Sequence, residues 1–255
     1  MNVYPVTFNG NELHSVADVF IYDYNAVSLP SRDINIHKLA RRSKSVITSS
    51  EYTDKTITVY MRVNSGSRAD TENTTTMLKG LLQPQNGKLV VEQSGIEVSY
   101  TATMNEFNIS WHGKSAYVQL SFIASTPIGT GVDINVLANM TATTQGESVT
   151  FLVGGSAITE PRINVVLNSV TGGSGGSINL YNALNNQGIT ISRNFTAGDI
   201  LEVDSAEMVV LHNGAEVDFV GAFPVFGVGS QQLAYSDTFT TRNASISMTA
   251  PTMVV

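Results

Sequence analysis

The chain has 255 residues, 42% hydrophobic and 14% charged, with no cysteine and a formal net charge of −7. That length suits two ordinary domains or one large β-sandwich or barrel, the composition is that of a packed chain, and the lack of cysteine excludes disulfides, thiolate metal sites and cysteine nucleophiles. Charge is unevenly placed: up to Thr130 there are 11 Lys and Arg against 11 Asp and Glu, whereas from Gly131 onward there are 3 against 10, so all the excess acid lies in the second part.

Met1 to Gly10 lacks the basic-then-apolar pattern of a secretory signal, and no run of 18 apolar residues is present to span a bilayer. A soluble protein made in a cytoplasm, without membrane insertion, is expected. Val3 to Phe8 reads as a strand, Asn9-Gly10 as a tight hairpin turn and Leu13 to Tyr24 as one or two further strands. Five of the 14 basic residues then fall together, Arg32, Lys38, Arg41, Arg42 and Lys44, with His37 among them. Such a cluster suits an acidic partner or nucleic acid, or a solvated edge protected from aggregation by charge. A nucleic-acid reader adds a basic pI and aromatics between its charges; the segment between Tyr24 and Tyr52 has no aromatic, so no specific nucleic acid is expected.

Thr56 to Val63 alternates with β-branched residues, which makes a strand with Ile57, Val59, Met61 and Val63 on one face, closed by turn residues from Asn64 to Arg68. The one helical signal runs over about 70–83. Asp70 is placed to cap it, Met77, Leu78, Leu81 and Leu82 share a face, and Pro84 ends it. Gln85-Asn86-Gly87 turns the chain into further strands. Phe107, Ile109 and Trp111 alternate up to His112-Gly113-Lys114, and Ala116, Val118, Leu120 and Phe122 alternate away from it, the pattern of a hairpin. Trp111 reads as a core plug rather than a sugar platform, which recruits more than one exposed aromatic.

Ser125 to Gly131 has proline and glycine with no period, and marks a boundary between domains 1–130 and 131–255. Beyond it lie eight short strand candidates: Val149–Val153, Ile163–Leu167, Ile178–Leu180, Ile189–Ile191, Ile200–Val203, Met208–Leu211, Val217–Val220 and Ile246–Met248. The fold class is therefore mainly β, an N-terminal β-rich domain with one helix followed by a sandwich or jelly roll.

No motif carries catalysis. Gly172-Gly173-Ser174-Gly175-Gly176 satisfies G-x-S-x-G, but strand-like residues follow where a nucleophile elbow needs a helix, so it reads as a flexible loop. His14, His37, His112 and His212 are scattered singly, without metal-ligand spacing, and His112 and His212 read as surface residues before turns. Asp199, Glu202 and Asp204 form the densest acidic group but lack a calcium-loop pattern. Glycoside hydrolysis needs a carboxylate pair, and nothing selects one. No enzyme activity, cofactor or metal is expected.

Several strings, in order, resemble the distal tail protein family of long-tailed (siphovirus-type) bacteriophages. They are Arg32-Asp33-Ile34 with the basic stretch to Lys44, Glu51-Tyr52, Lys55 to Val59, the helix from Asp70 and Asn86-Gly87-Lys88-Leu89. In the second part they are Pro161-Arg162-Ile163, Gly198 to Asp204, Asn213-Gly214 and Gly221 to Gly229. The resemblance implies a hexameric ring at the end of the tail tube, with a ring-forming first domain and an outward galectin-like β-sandwich. It implies a structural virion protein, assembled in the host cytoplasm, that joins the tube to the tip or baseplate. Implied partners are further copies of itself, the tail tube protein, the tail-tip hub or tail-associated protein, and receptor-binding or side-fibre proteins. Arg32, Lys38, Arg41, Arg42 and Lys44 are the interface candidates. Gly229-Ser230-Gln231 departs from the Gly-Asn that members often carry, and the modest length leaves no room for the carbohydrate-binding insertion of some members. The alternative function is a lectin-like carbohydrate-binding module using the second domain.

Overall fold

The computed structural model describes residues 4–26, 28–30, 32–38, 45–93 and 95–255. The chain divides into two compact units, Met1–Val132 with Val255, and Asp133–Val254. Among the described residues, both are built from β-strands and the first alone has an α-helix.

The first unit contains β1 (Val6–Phe8), β2 (Asn11–Glu12), β3 (Val19–Asn25), β4 (Arg32–Lys38), β5 (Ser45–Tyr52), β6 (Lys55–Val63), α1 (Arg68–Leu81), β7 (Gly87–Gln93), β8 (Ile96–His112), β9 (Ser115–Ala124) and the start of β10 (Gly129–Ala142). Its main sheet runs β3-β6-β9-β8-β7-β1-β2. Asn9 and Gly10, at φ of 51° and 78°, make the expected tight turn between β1 and β2. The alternation in β6 is realised as written: Ile57, Val59, Met61 and Val63 point inward and stand opposite Phe122, Leu120, Val118 and Ala116 of β9, all buried. The sheet curls, so that Phe8 of β1 meets Phe122 of β9 across the two intervening strands with ring centroids 5.3 Å apart.

The helix begins earlier than its sequence signal. Its cap is Ser67, not Asp70: the Ser67 hydroxyl accepts from the Asp70 N–H at 3.1 Å and donates to the Asp70 carboxylate at 2.6 Å, the side-chain cap of a helix N-terminus. The buried stripe is Thr71, Thr75 and Leu78, with Leu82 just beyond. Met77, expected on that face, is 51% exposed. Threonine can line a buried face here because the Thr71 hydroxyl donates to Ser67 O and Lys114 O, and that of Thr75 to Glu72 O.

The second unit continues β10 and adds β11 (Glu147–Val153), β12 (Arg162–Thr171), β13 (Gly176–Asn182), β14 (Gln187–Arg193), β15 (Ile200–Asp204), β16 (Val209–His212), β17 (Ala215–Glu216), β18 (Val220–Gly221), β19 (Gly229–Asp237) and β20 (Thr241–Val254). One layer follows the order β17-β16-β15-β12-β20-β10, the other β11-β19-β13-β14-β18. Ile163, Val165, Leu201, Val203 and Ile246 from the first layer share one core with Ile178, Leu180, Ile189, Leu233 and Tyr235 from the second. This is the sandwich the alternation implies.

The glycine run between β12 and β13 is a hydrogen-bonded corner rather than a flexible loop. Gly173 O accepts from the N–H groups of Gly176 and Phe195, and the Asn194 side chain accepts from the Gly175 N–H at 2.7 Å. A Cβ at Gly173 would lie 2.2 Å from Phe195 O, so the chain passes too closely for any larger residue.

Candidate functional site

Two surfaces of the first unit stand out. The first is the ribbon of β4 and β5, which pair only with each other among the described residues, from Arg32 opposite Tyr52 to Lys38 opposite Ser45. Arg32 and Lys38 thus mark the two ends of one strand. Arg41, Arg42 and Lys44 lie outside the described residues, so the expected basic cluster is placed only in part. Each ribbon strand keeps one backbone edge without a partner among the described residues, and two strands alone are marginal in water.

The second surface was not anticipated. On the outer face of β3, β6, β9 and β8 the register aligns Asp23, Tyr60, Gln119 and Asn108 in one row and Phe20, Arg62, Tyr117 and Ser110 in the next. A bulge in β3 between Ile21 and Asp23 adds Tyr22 to this face, as bulges do when they re-aim a side chain. The centroid of Tyr22 lies 6.3 Å from that of Tyr60 and 6.5 Å from that of Tyr117, with interplanar angles of 33° and 71°. The rings therefore form the walls of a cup of about 320 Å³, completed by Asn108, Ser110 and Gln119. Arg62 lies 5.9 Å above the Tyr117 ring and donates to Ser115 Oγ at 3.2 Å. Burial, then Tyr117, Asp23 and Tyr60, raise the Tyr22 hydroxyl above its ordinary value. Phe20, Tyr22 and Tyr117 are the exposed aromatics among the described residues, and all belong to the first unit.

The remaining sequence candidates separate. Trp111 is half-buried rather than a core plug, at the border of the face that α1 covers, with the Arg68 guanidinium 3.6 Å from its ring centroid. His112 is exposed and meets Tyr117 edge to face at 5.1 Å. His212 is not a surface residue: its side chain is 14% exposed, against Phe195 and 3.1 Å from Asp199. The acidic trio does not converge. Burial opposes ionisation of Asp199, but Asn213, the Thr196 N–H and His212 outweigh it and hold the carboxyl below the usual range. Asp204 instead binds Arg162 through Nε at 3.0 Å and Nη2 at 2.5 Å. Among the described residues no group of three or more His, Cys, Asp and Glu could hold a metal ion, and no helix is long and apolar enough to cross a membrane.

No family model matches the chain. No curated protein matches it. Among solved structures it is similar to the crystal structure of the Dit protein of phage SPP1, described as a paradigm of the hub adsorption apparatus in phages that infect Gram-positive bacteria. That match has 15% identity over 97% of this chain and 98% of that one, with a TM-score of 0.67. Two structures of the phage P2 baseplate in its activated conformation, with calcium and with strontium, match at 8% and 9% identity over 97% of this chain and 98% of theirs. Their TM-score is 0.42. Over nearly its whole length the chain shares the mainly β fold of the SPP1 Dit protein.

Proposed function

We propose that the chain is a structural virion protein, the hub at the distal end of a long-tailed bacteriophage tail, where it joins the tail tube to the tip or baseplate and the receptor-binding apparatus. The observation that carries this is the shared fold along 97% of the chain with a protein described as a hub adsorption apparatus. The working form is a closed ring of six copies. A head-to-tail contact closes into a ring only when its rotation fits a whole number of subunits, and the edges of the β4–β5 ribbon that have no partner among the described residues suit such a contact. In this reading residues 1–130 make the ring and meet the tube protein, with Arg32, Lys38, Arg41, Arg42 and Lys44 at the contacts, and the acidic residues 131–255 face outward. The chain is not an enzyme, and its partners are tail proteins and further copies of itself.

Light scattering tests the ring. The purified chain is expected to assemble toward six times its 27.3 kDa mass, and replacing Arg41, Arg42 and Lys44 by alanine is expected to lower that mass. A monomer at every concentration would sink the ring, and a virion whose tip is not labelled by antibodies to this chain would sink the hub. No specific observation favours a lectin-like second domain, whose described residues include no exposed aromatic.

A further inference from the structure

We propose that the tyrosine cup on the first unit binds a neutral saccharide, a role independent of the hub reading. A pyranose offers a flat patch of C–H groups and a rim of hydroxyls that both donate and accept. The cup matches both halves. Tyr22, Tyr60 and Tyr117 supply ring faces, and Asn108 and Gln119 supply amides that donate and accept in one plane, with Ser110 beside them. Its 320 Å³ is near the lower limit of small-ligand sites, about 300–1,000 Å³, which points to one or two sugar rings rather than a long chain. Every side chain lining it is uncharged.

Other ligand classes fit less well. An anionic group would rely on Arg62, which is already engaged by Ser115 and Tyr117. A single nucleic-acid strand needs a basic track beside its stacking rings, which the cup lacks. A proline-rich peptide lies across aromatic grooves, whereas these rings are inclined at 33° and 71° to one another and enclose a cup. Nothing in the sequence advertised the site, since its tyrosines are 38 and 57 residues apart along the chain and only the register of three strands and one bulge unites them.

Saturation-transfer NMR on the full chain tests the proposal, with glucose, galactose, N-acetylglucosamine and rhamnose as probes. Transfer to the C–H protons of at least one sugar is expected. It should fall about tenfold in Tyr117→Ala, the order of one lost aromatic contact, and also fall in Tyr22→Ala and Gln119→Ala. Leu152→Ser, on the exposed edge of the other unit, should leave it unchanged, and circular dichroism should confirm that each variant is folded. No transfer from any probe would overturn the proposal, as would transfer that survives loss of both tyrosines. A fall in mass in the tyrosine variants with no sugar signal would assign the face to a second copy of the chain instead.

Discussion

Lys55 is a buried cation without a counter-charge. It is 1% exposed and its Nζ donates to the Tyr100 hydroxyl at 3.2 Å, which in turn donates to Gln93 at 3.0 Å. Among the described residues no carboxylate forms an ion pair with it. Burial lowers the Lys55 pKa and pushes the Tyr100 hydroxyl up to about 12, because in both groups it opposes the charged form. A lysine whose folded pKa lies below its ordinary 10.5 binds its proton less readily in the fold than in the unfolded chain. Stability therefore rises with pH through the window below 10.5 and is lost as pH falls through the folded value. Lys55→Met is expected to stabilise the first unit by about 1–2 kcal/mol at pH 7, with the gain shrinking toward pH 10; parallel melts at both pH values would check it. Asp199 has the opposite sign. Its lowered carboxyl contributes stability above its ordinary 3.8 that is lost as pH falls through the lower folded value. Asp199→Ala, which strips the Thr196 N–H and Asn213 of their shared acceptor and removes the carboxylate 3.1 Å from His212, is expected to cost about 2 kcal/mol at pH 7, measured by denaturant unfolding.

At the scale of elements, two local devices carry separable costs. Ser67→Ala removes the hydroxyl that serves the Asp70 N–H and should destabilise the first unit by about 1 kcal/mol. Gly173→Ala forces a Cβ to within 2.2 Å of Phe195 O, and because the obstacle is backbone the second unit should lose more than about 2 kcal/mol. Hydrogen exchange would report each loss in its own unit. Elements whose pattern and packing coincide were legible in the sequence: β6 and β9 show their alternation, and Asn9-Gly10 and Asn213-Gly214 announce turns that the positive φ angles confirm. Elements stabilised by neighbours rather than by their own pattern were not. β19 runs Gly229-Ser230-Gln231-Gln232 before its first buried residue, Leu233, yet it is held on both sides, by β11 and β13. Val217 looked like strand but is a loop residue whose N–H meets Val210 O at 2.9 Å. The start of α1 was hidden because its buried stripe opens on threonines, which signal a helix face only once their hydroxyls are seen to find carbonyls. The tyrosine cup was hidden for a different reason, since it depends on strand order and a bulge that no local pattern encodes.

For the whole molecule, the distribution of charge makes the proposed ring sensitive to salt in a direction that reveals which contacts hold it. A chain of −7 gives a six-fold ring of −42, and all of the excess lies in residues 131–255. If the acidic units face outward and the ring closes through uncharged strand edges, the dominant long-range force between copies is repulsion. Repulsion reaches about 30 Å at 0.01 M salt and about 8 Å at 0.15 M. The ring should then be less populated at the lower salt and recover as salt is added. If the segment from Arg32 to Lys44 instead grips the acidic unit of a neighbouring copy, added salt would weaken that attraction and the ring would dissociate. Sedimentation velocity of the full chain across that range, on the natural protein and on the alanine variant of Arg41, Arg42 and Lys44, separates the two. A variant whose salt response has the same sign as the natural protein's but a lower mass overall would place the segment at the contact through its backbone and shape, while a reversal of sign would identify its charge as the adhesive.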